Sequence, residues 1–351
     1  MHPDRLARAR DLLRAGVGNG AMPGGVVCLF RGGEPVLLDA FGTLDDFRPA
    51  ATDTLYDLAS LTKPLATASS VVILVEQGRL VLGANLENLL GEMVPMPEHF
   101  AKITVAQLLT HTSGLPAWIA CYDTGFGLDA AVSAVLALPA PSAAPGARYE
   151  YSCLGFLLLA RILRAVTGQS VEEFARENVF VPLGLHSLTF RPGRNDRVAP
   201  TVSREGPSKD TPLIGVVHDG NARGIESGGD ISGNAGLFGT AADVAAFGEA
   251  VRTGRLFSAP ATARALASQI SPAIGGHSLL FFAAPNGLNP TGDLLSDRAV
   301  GHSGYTGTAL VIDPAYDLTV AVLTNSVYGD GKGKWLTLRR KFLNALAASL
   351  P

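Results

Sequence analysis

The sequence predicts an α+β fold, an α/β sandwich in which a central antiparallel sheet is built from both chain ends and flanked by helices. Three observations predict it. Short apolar, β-rich segments lie near both ends of the 351-residue chain, amphipathic helical patterns open and close it, and the region between them has mainly helical periodicity. One sheet covered by the terminal helices, with a helical insertion in the middle, satisfies all three observations.

The chain begins with a predicted helix and a predicted hairpin. The segment MHPDRLARARDLLRAGVGNG alternates basic residues with Leu and Ala, which is typical of an amphipathic helix and not of a secretory signal. GGVVCLFRGG and EPVLLDAFG follow as apolar runs separated by Gly and a charge, which predicts an antiparallel hairpin. Because no export signal is recognised, a cytoplasmic location is expected.

The middle of the chain is predicted to be helical from about residue 60 to residue 168. ATASSVVILVEQG and SCLGFLLLARILRAVTG have helical periodicity, and the second ends on a glycine. Thr104 with Gln107, and Ser170 with Glu173, have the capping-box spacing that starts a helix. These signals predict several separate helices packed into one insertion.

The last third of the chain returns to strands. The segment from about 184 to 239 is rich in Gly, Pro, Ser, Asp and Asn, and it predicts a long ordered loop. A capped helix that stops at Gly254 is predicted for TAADVAAFGEAVRTG. Three strands are predicted for RAVGHSG, TALVIDP and LTVAVLTNS, and a closing amphipathic helix is predicted for KWLTLRRKFLNALAASL. The predicted sheet domain therefore comprises residues 1–59 and 233–351, and the mainly helical domain with long loops comprises residues 60–232.

Composition and charge exclude several classes of partner. Hydrophobic residues make up 47% of the chain, which is enough for a large core, while a net charge of −3 gives no footprint for nucleic acid or an anionic membrane. The apolar run LGFLLLARILRAV is interrupted by Arg161 and Arg164 and falls short of the roughly 18 residues of a membrane span. Cys28, Cys121 and Cys153 lie far apart, which predicts reduced thiols and no metal site. A small-molecule partner is expected.

The segment DLASLTKPLATA places a hydroxyl and an amine three residues apart. Pro64 restricts where a helix can begin, so the helix is predicted to start close to Ser60, with Lys63 one turn later on the same face. Unpaired backbone N–H groups at a helix start suit an oxyanion formed beside Ser60. Lys63 can accept the serine proton only if it is partly neutral, which burial would favour by lowering its pKa. An ordinary helix start with Ser as its cap is the alternative.

Two further segments carry residues suited to chemistry. PGARYEYSCLGF places Tyr151 just before a strongly apolar helix, where it could also serve only to fix the helix end. RAVGHSGYTGTALVID carries His302, Ser303 and Gly304 at the end of a predicted strand, where a plain turn is the alternative. GHSGY approaches the Gly-x-Ser-x-Gly motif of α/β-hydrolases, but Tyr305 stands where the last glycine is required, so Ser303 is not interpreted as a nucleophile.

In this order the three motifs resemble the serine β-lactamase and penicillin-binding-protein superfamily, most closely its class C-like branch with the family VIII esterases. In that family Ser-x-x-Lys opens a helix, Tyr-x-Asn lies on a loop of the helical domain, and Lys-Thr-Gly or His-Thr-Gly lies on a strand that lines the site. LLTHTSGLP, PGARYEYS, GNAGLFGTAADVAAF and GHSGYTGTALVIDP also resemble segments of the family. The resemblance covers nearly the whole chain and implies a β-lactamase/transpeptidase-like fold.

The resemblance also implies a role for each matching residue. Ser60 is the expected nucleophile, Lys63 and Tyr151 share proton removal and delivery, and the backbone N–H groups of Ser60 and Tyr305 form the expected oxyanion hole. The mechanism needs no cofactor and no metal. The expected substrate contacts are Cys153, His302, Ser303 and Gly304.

Two departures from the family pattern bear on the substrate. Cys153 stands at the place of the expected Asn, and His302 stands where lactamases carry a lysine that recognises the substrate carboxylate. Both departures weaken the lactamase interpretation. The His in the third motif, together with the lack of a recognised export signal, makes hydrolysis of a small ester the first hypothesis. A D-amino-acid peptidase or carboxypeptidase, or a β-lactamase, with the same nucleophile is the second hypothesis. A non-catalytic binding or sensor protein on the same fold is the third.

Other conspicuous patterns are interpreted as structural. The basic-Thr-Gly sequence at residues 252–254 is predicted to end a helix, and His111 is predicted to hydrogen-bond the turn that follows it. His218 and Asp219 are adjacent in a loop, which is insufficient for a metal site. GIESGGDISGNAGLFG lacks the ending of a phosphate-binding loop and is predicted to shape a wall of the site.

Overall fold

The computed structural model describes residues 1–45, 47–141, 143–202, 211–329 and 331–351. Within these residues the strands are β1 (Gly24–Arg31), β2 (Glu34–Gly42), β3 (Tyr56–Asp57), β4 (Thr201–Val202), β5 (Pro212–Leu213), β6 (Phe238–Gly239), β7 (Val300–Ser303), β8 (Ala309–Asp313) and β9 (Leu318–Thr324). The α-helices are α1 (Pro3–Gly18), α2 (Ser69–Glu76), α3 (Leu86–Leu90), α4 (Glu98–Ala101), α5 (Val105–Leu109), α6 (Leu128–Leu136), α7 (Leu154–Thr167), α8 (Val171–Ala175), α9 (Val181–Leu183), α10 (Gly220–Ser227), α11 (Ala241–Arg252), α12 (Ala259–Leu266) and α13 (Lys332–Ala347).

The central sheet joins strands from both ends of the chain, as the sequence predicts. Its order is β2-β1-β9-β8-β7, and every neighbouring pair is antiparallel. Val26 of β1 lies opposite Leu323 of β9, about 300 residues further along the chain, so the N-terminal hairpin is completed by C-terminal strands. The predicted α+β fold with a sheet built from both termini is confirmed.

The two faces of the sheet belong to different layers because successive side chains of a strand point to opposite sides. On one face Val27 and Leu29 pack in a cluster with Trp335 and Phe342 of α13 and with residues of α1. On the other face Val26 and its neighbours pack against α11 and the helical insertion. Each fully buried aliphatic or aromatic side chain stabilises the fold by roughly 1.5–3 kcal/mol. Because the side chains of β1 point alternately to the two faces and are buried on both, they favour a sheet that is covered on each side.

The predicted helix signals are found in the structure with their capping contacts. Thr104 and Gln107 form a reciprocal capping box at α5, and Ser170 and Glu173 form another at α8. Helix α7 ends at Gly168, which adopts the left-handed conformation with a φ of 76°. These boundaries follow from local chemistry, which is why the sequence locates them.

The segment 184–239 differs from the predicted long loop. It contains α10 as well as the short strands β4, β5 and β6, and residues 203–210 of it lie outside the described residues. A Cβ added at Gly220 or Gly224 of α10 would come within 2.6 or 2.8 Å of Tyr122. The glycines of α10 therefore allow close packing, and this tertiary contact stabilises a helix that their low propensity disfavours.

No single described helix is long and apolar enough to cross a membrane. Helix α7 and the helical stretch Val171–Leu183 reach the necessary length and composition only as a pair, and the pair is bent by 74° at its break.

Candidate active site

Ser60 lies on a strained turn between β3 and the helix that follows. The carboxyl of Asp57 accepts hydrogen bonds from the backbone N–H groups of Ala59, at 2.8 Å, and His218, at 2.6 Å. The hydroxyl of Thr306 donates to the backbone carbonyl of Asp57 at 2.7 Å. These bonds hold Ala59 at a φ of 47°, a left-handed conformation that costs a non-glycine residue about 1–2 kcal/mol. The strain is consistent with a functional turn at Ser60.

The helix after Ser60 begins irregularly because it contains Pro64. A 3-10 turn spans Ala59–Leu61, a π-helical turn spans Lys63–Ala68, and only then does α2 begin. Proline has no N–H and its ring disturbs the regular ladder of hydrogen bonds. The Ser69 hydroxyl instead donates to the carbonyl of Pro64 at 2.6 Å. The predicted helix start near Ser60 is thus present, but in a widened form.

Lys63 reaches Ser60 as its spacing predicts. The side chain is 1% exposed, and Nζ lies 3.0 Å from Ser60 Oγ, 2.9 Å from the carbonyl oxygen of Asn234 and 3.4 Å from Cys153 Sγ. An ammonium group has three N–H donors, and these three acceptors use all of them. Asn234 belongs to the glycine-rich segment, which therefore forms a wall of the site.

Tyr151 completes the group around Ser60. Its phenol lies close enough to Ser60 and Lys63 for both groups to act toward a lower pKa, and its ring centroid lies 5.1 Å from Lys63 Nζ. The ring of His111 packs 4.4 Å from the Tyr151 ring, while His111 Nδ1 accepts a hydrogen bond from the Ser152 N–H at 3.0 Å. His111 therefore holds the Tyr151 segment from 41 residues away, and the prediction that it bonds its own turn is wrong.

The protonation of the site follows from burial and from the pairing of Lys63 with Tyr151. Burial raises the pKa of Tyr151 above its ordinary value, against the opposing effect of the Lys63 ammonium. Burial acts to lower the pKa of Lys63, but the electrostatic effects of its neighbours outweigh burial, and the net direction is upward. Because the pKa of each group is raised, the site does not favour the partly neutral Lys63 that proton acceptance by this amine requires.

The strand β7 brings the third motif to the site, but its residues lie at different depths. Ser303 and Gly304 line a cavity beside Ser60. A Cβ at Gly304 would overlap the carbonyl oxygen of Leu58 and the hydroxyl of Thr308, so only glycine lets β7 approach the Ser60 turn this closely.

His302 does not contact the cavities, contrary to the expected substrate contact. Its side chain is 1% exposed, its ring stacks on Phe282 at 4.5 Å, and Nδ1 lies 3.1 Å from the Ser303 carbonyl oxygen. Burial, together with the nearby Lys63 charge, places the pKa of His302 well below its ordinary value. A neutral, buried imidazole supports the Tyr151 side of the site and provides no cation for a substrate carboxylate.

Two cavities meet at Ser60. The first cavity has a volume of about 310 Å³ and is lined by Ala59, Ser60, Ala117, Trp118, Tyr151, Cys153, His218, Asp219, Gly220, Ala235 and Tyr305. The second cavity has a volume of about 220 Å³ and is lined by Ser60, Tyr151, Phe282, Leu288, Ser303, Gly304, Tyr305, Gly307, Trp335 and Leu336. A carbonyl compound bound at Ser60 therefore has space for a substituent on each side.

The comparisons with known proteins identify the family. A family model described as Beta-lactamase matches residues 9–342. The chain belongs to the beta-lactamase family. This family member is 30% identical over 346 residues to esterase EstB of Burkholderia gladioli, covering 87% of this chain and 86% of EstB. It is 29% identical over 311 residues to a putative D-alanyl-D-alanine carboxypeptidase of Escherichia coli (strain K12), covering 79% of this chain and 70% of the relative.

Its fold is also that of solved beta-lactamase family structures. EstCE1, described as a hydrolase with promiscuous acyltransferase activity, superposes with a TM-score of 0.79 at 21% identity, covering 97% of this chain and 98% of EstCE1. Family membership makes the chain a serine hydrolase, and it confirms the superfamily and fold that the sequence motifs predict.

Sequence reasoning missed several residues that shape the site of this beta-lactamase family chain. His218 and Asp219, considered only as a weak metal motif, both line the first cavity, and Trp118 does so as well. Asp57 lies in the nucleophile segment DLASLTKPLATA, but the sequence analysis assigns no function to it. The signal that could have found it is its place three residues before the nucleophile, where an acidic side chain can cap the turn.

Asp57 predicts a distinctive dependence of stability on pH. Burial raises its pKa to about 6, whereas an unfolded Asp titrates near 3.9. A carboxyl group whose pKa is higher in the folded protein destabilises the fold when it ionises. Its contribution to stability is therefore fully present below the pKa of the unfolded state, and it is lost as the pH rises through the pKa of the folded state. Between pH 5 and pH 8 this group should therefore lower the free energy of unfolding by roughly 1 kcal/mol.

Urea unfolding at pH 5 and pH 8 tests this contribution. The change between the two pH values should differ between the wild type and Asp57→Asn by about the predicted amount, because the amide cannot ionise. An identical pH dependence in both proteins would contradict the raised pKa.

Proposed function

We propose that this serine hydrolase cleaves small carboxylic esters through an acyl-enzyme on Ser60. The observation that carries the proposal is the convergence of Lys63 and Tyr151 on the Ser60 hydroxyl, with Lys63 Nζ at 3.0 Å, at the meeting point of two cavities. The relative named as an esterase supports the same class of substrate. In this proposal the backbone N–H groups of Ser60 and Tyr305 form the oxyanion hole.

The proposed reaction has two balanced steps. In the reactive state the Lys63–Tyr151 pair has lost one proton, so that Tyr151 is a phenolate. The phenolate takes the Ser60 proton as Oγ attacks the ester carbonyl, and the same proton passes to the departing alkoxide, which leaves as an alcohol and restores the phenolate. Water then attacks the acyl-enzyme with Tyr151 again as base, which releases the carboxylic acid and restores Ser60. Lys63 remains an ammonium group throughout and stabilises the phenolate before it takes each proton.

Two observations favour esters over lactams and peptides. Cys153 contributes a thiol at 3.4 Å from Lys63 Nζ, where the family carries an amide side chain that can hydrogen-bond a substrate amide. His302 is buried and neutral, so it cannot pair with the carboxylate that lactams and cell-wall peptides present. Without these two polar contacts an amide substrate loses recognition, whereas an activated ester needs less assistance.

A substrate panel tests the proposal. The value of kcat/KM for p-nitrophenyl butyrate should exceed the values for nitrocefin and for peptides ending in D-Ala-D-Ala. Faster turnover of the D-peptide would establish the alternative that the carboxypeptidase-named relative suggests. Failure of every acyl donor to label the protein would favour a binding or sensor role on the same fold.

A further inference from the structure

The first cavity contains a carboxylate that the proposed chemistry does not use. Asp219 begins α10, and its Oδ1 accepts a hydrogen bond from the Ala222 N–H at 2.8 Å, which fixes the side chain at the cavity wall. Among the described residues that line this cavity, Asp219 is the one Asp, Glu, Lys or Arg side chain. Lys63 is adjacent but buried, and its donors are occupied by the site.

Aromatic side chains line the same cavity as this carboxylate. Trp118 is 37% exposed and lies with its ring centroid 6.1 Å from that of Tyr122. Tyr305 is 54% exposed, and its ring packs 5.4 Å from the ring of His218. Each exposed ring is thus backed by a second ring, which holds it in place. Exposed aromatic rings and a carboxylate that line one cavity can attract a cation, because the ring quadrupoles and the negative charge both favour a positive group there.

The second cavity has a different chemistry. Phe282, Leu288, Trp335 and Leu336 line it, and it contains no acidic side chain among the described residues. The two cavities therefore offer a substrate one apolar binding region and one region suited to positive charge, on the two sides of the same nucleophile.

We infer that the first cavity is a subsite for a positively charged group, so that the preferred ester carries an ammonium ion a few bonds from the scissile carbonyl. The inference rests on the proposed ester hydrolysis and specifies its substrate class. A primary ammonium, as in an amino-acid ester, and a quaternary ammonium, as in a choline ester, share the required chemistry. A preorganised aromatic site with a carboxylate should favour the cationic ester about tenfold over a neutral one of the same shape.

Matched esters test the subsite by kinetics. Butyrylthiocholine is compared with 3,3-dimethylbutyl thiobutyrate, which replaces the charged nitrogen by carbon, and alanine p-nitrophenyl ester is compared with isobutyric acid p-nitrophenyl ester. We expect the cation-to-neutral ratio of kcat/KM to be about ten for at least one pair, and the pair that shows it identifies the type of ammonium. Ratios near one for both pairs would overturn the inference.

Substitutions at Asp219 separate charge from structure. Asn is as good an N-cap as Asp, so Asp219→Asn should keep α10 intact and lower the ratio to near one. Asp219→Glu should retain a preference for the cation. The matched control is Asp123→Asn, because Asp123 is exposed on the neighbouring 3-10 turn and does not line the cavity. A ratio unchanged in Asp219→Asn would contradict the assignment.

A binding measurement distinguishes failure of the subsite from failure of the proposed hydrolysis. Ser60→Ala, which cannot be acylated, is titrated with each ester by calorimetry, alone and combined with Asp219→Asn. Tighter binding of the cationic ester that is lost in the double variant supports the subsite even if the wild type hydrolyses neither ester. Equal binding of both esters rejects the subsite, whatever the catalytic result.

Discussion

Ser60→Ala is expected to abolish acyl-enzyme formation and to lower kcat/KM for an activated ester by about a millionfold, the scale seen when a serine nucleophile is removed. The reason is that, among the described residues, Ser60 Oγ is the hydroxyl that Lys63 Nζ contacts, at 3.0 Å, and the other contacts of Nζ are a thiol and a backbone carbonyl. Intact mass spectrometry after treatment with a fluorophosphonate should show one adduct in the wild type and none in the variant.

Ser303→Ala is the matched control for this labelling. Ser303 lies in GHSGY, the segment that approaches a hydrolase motif, and it lines the second cavity next to Ser60. Because its hydroxyl has no role as nucleophile, Ser303→Ala should still form the adduct. An adduct that persists in Ser60→Ala and disappears in Ser303→Ala would reverse the assignment. Unchanged circular dichroism of both variants would exclude unfolding as the cause of lost labelling.

The sequence predicts the parts of the site that depend on local chemistry. Ser60 and Lys63 are three residues apart beside a proline, so their contact requires only one turn of helix, and the contact is present at 3.0 Å. The short apolar runs of β1 and β9 likewise predict buried strands, because their length and β-rich composition can be read without tertiary information. Tyr151 was assigned through family resemblance, since nothing local brings a residue 91 positions away to Ser60.

The parts that the sequence does not predict depend on packing between distant segments. His302 follows an apolar strand and was expected to face the substrate, but Phe282 from a separate segment covers its ring. His111 finds its hydrogen-bond partner at Ser152, and no spacing rule indicates that pair. Helix α10 forms in a segment rich in turn residues because its glycines pack on Tyr122. In each case a long-range contact outweighs the local preference.

Tyr151→Phe is expected to lower kcat/KM by about 10²–10⁴, the usual contribution of a general acid–base residue. The phenylalanine ring keeps the contact with His111 at 4.4 Å and the position below Lys63 Nζ at 5.1 Å, so the substitution removes the hydroxyl with little change in packing. Tyr149→Phe is the matched control, because Tyr149 also packs near His111, with ring centroids 6.0 Å apart, but lines neither cavity at Ser60. Its activity should stay close to that of the wild type.

The dependence of activity on pH distinguishes a base from a structural tyrosine. The reactive state has lost one proton from the Lys63–Tyr151 pair, and the pKa of each member is raised, that of Tyr151 by burial and that of Lys63 by electrostatic effects of its neighbours that outweigh burial. A raised pKa keeps the proton bound at neutral pH, so log kcat/KM for a neutral ester should increase steadily from pH 7 to pH 9 in the wild type and in Tyr149→Phe. The titration belongs to the pair as a whole, and Tyr151→Phe should flatten the profile as well as lower it. A Tyr151→Phe variant that is slower but retains the full alkaline increase would show that the phenol positions the substrate and that Lys63 alone removes the proton.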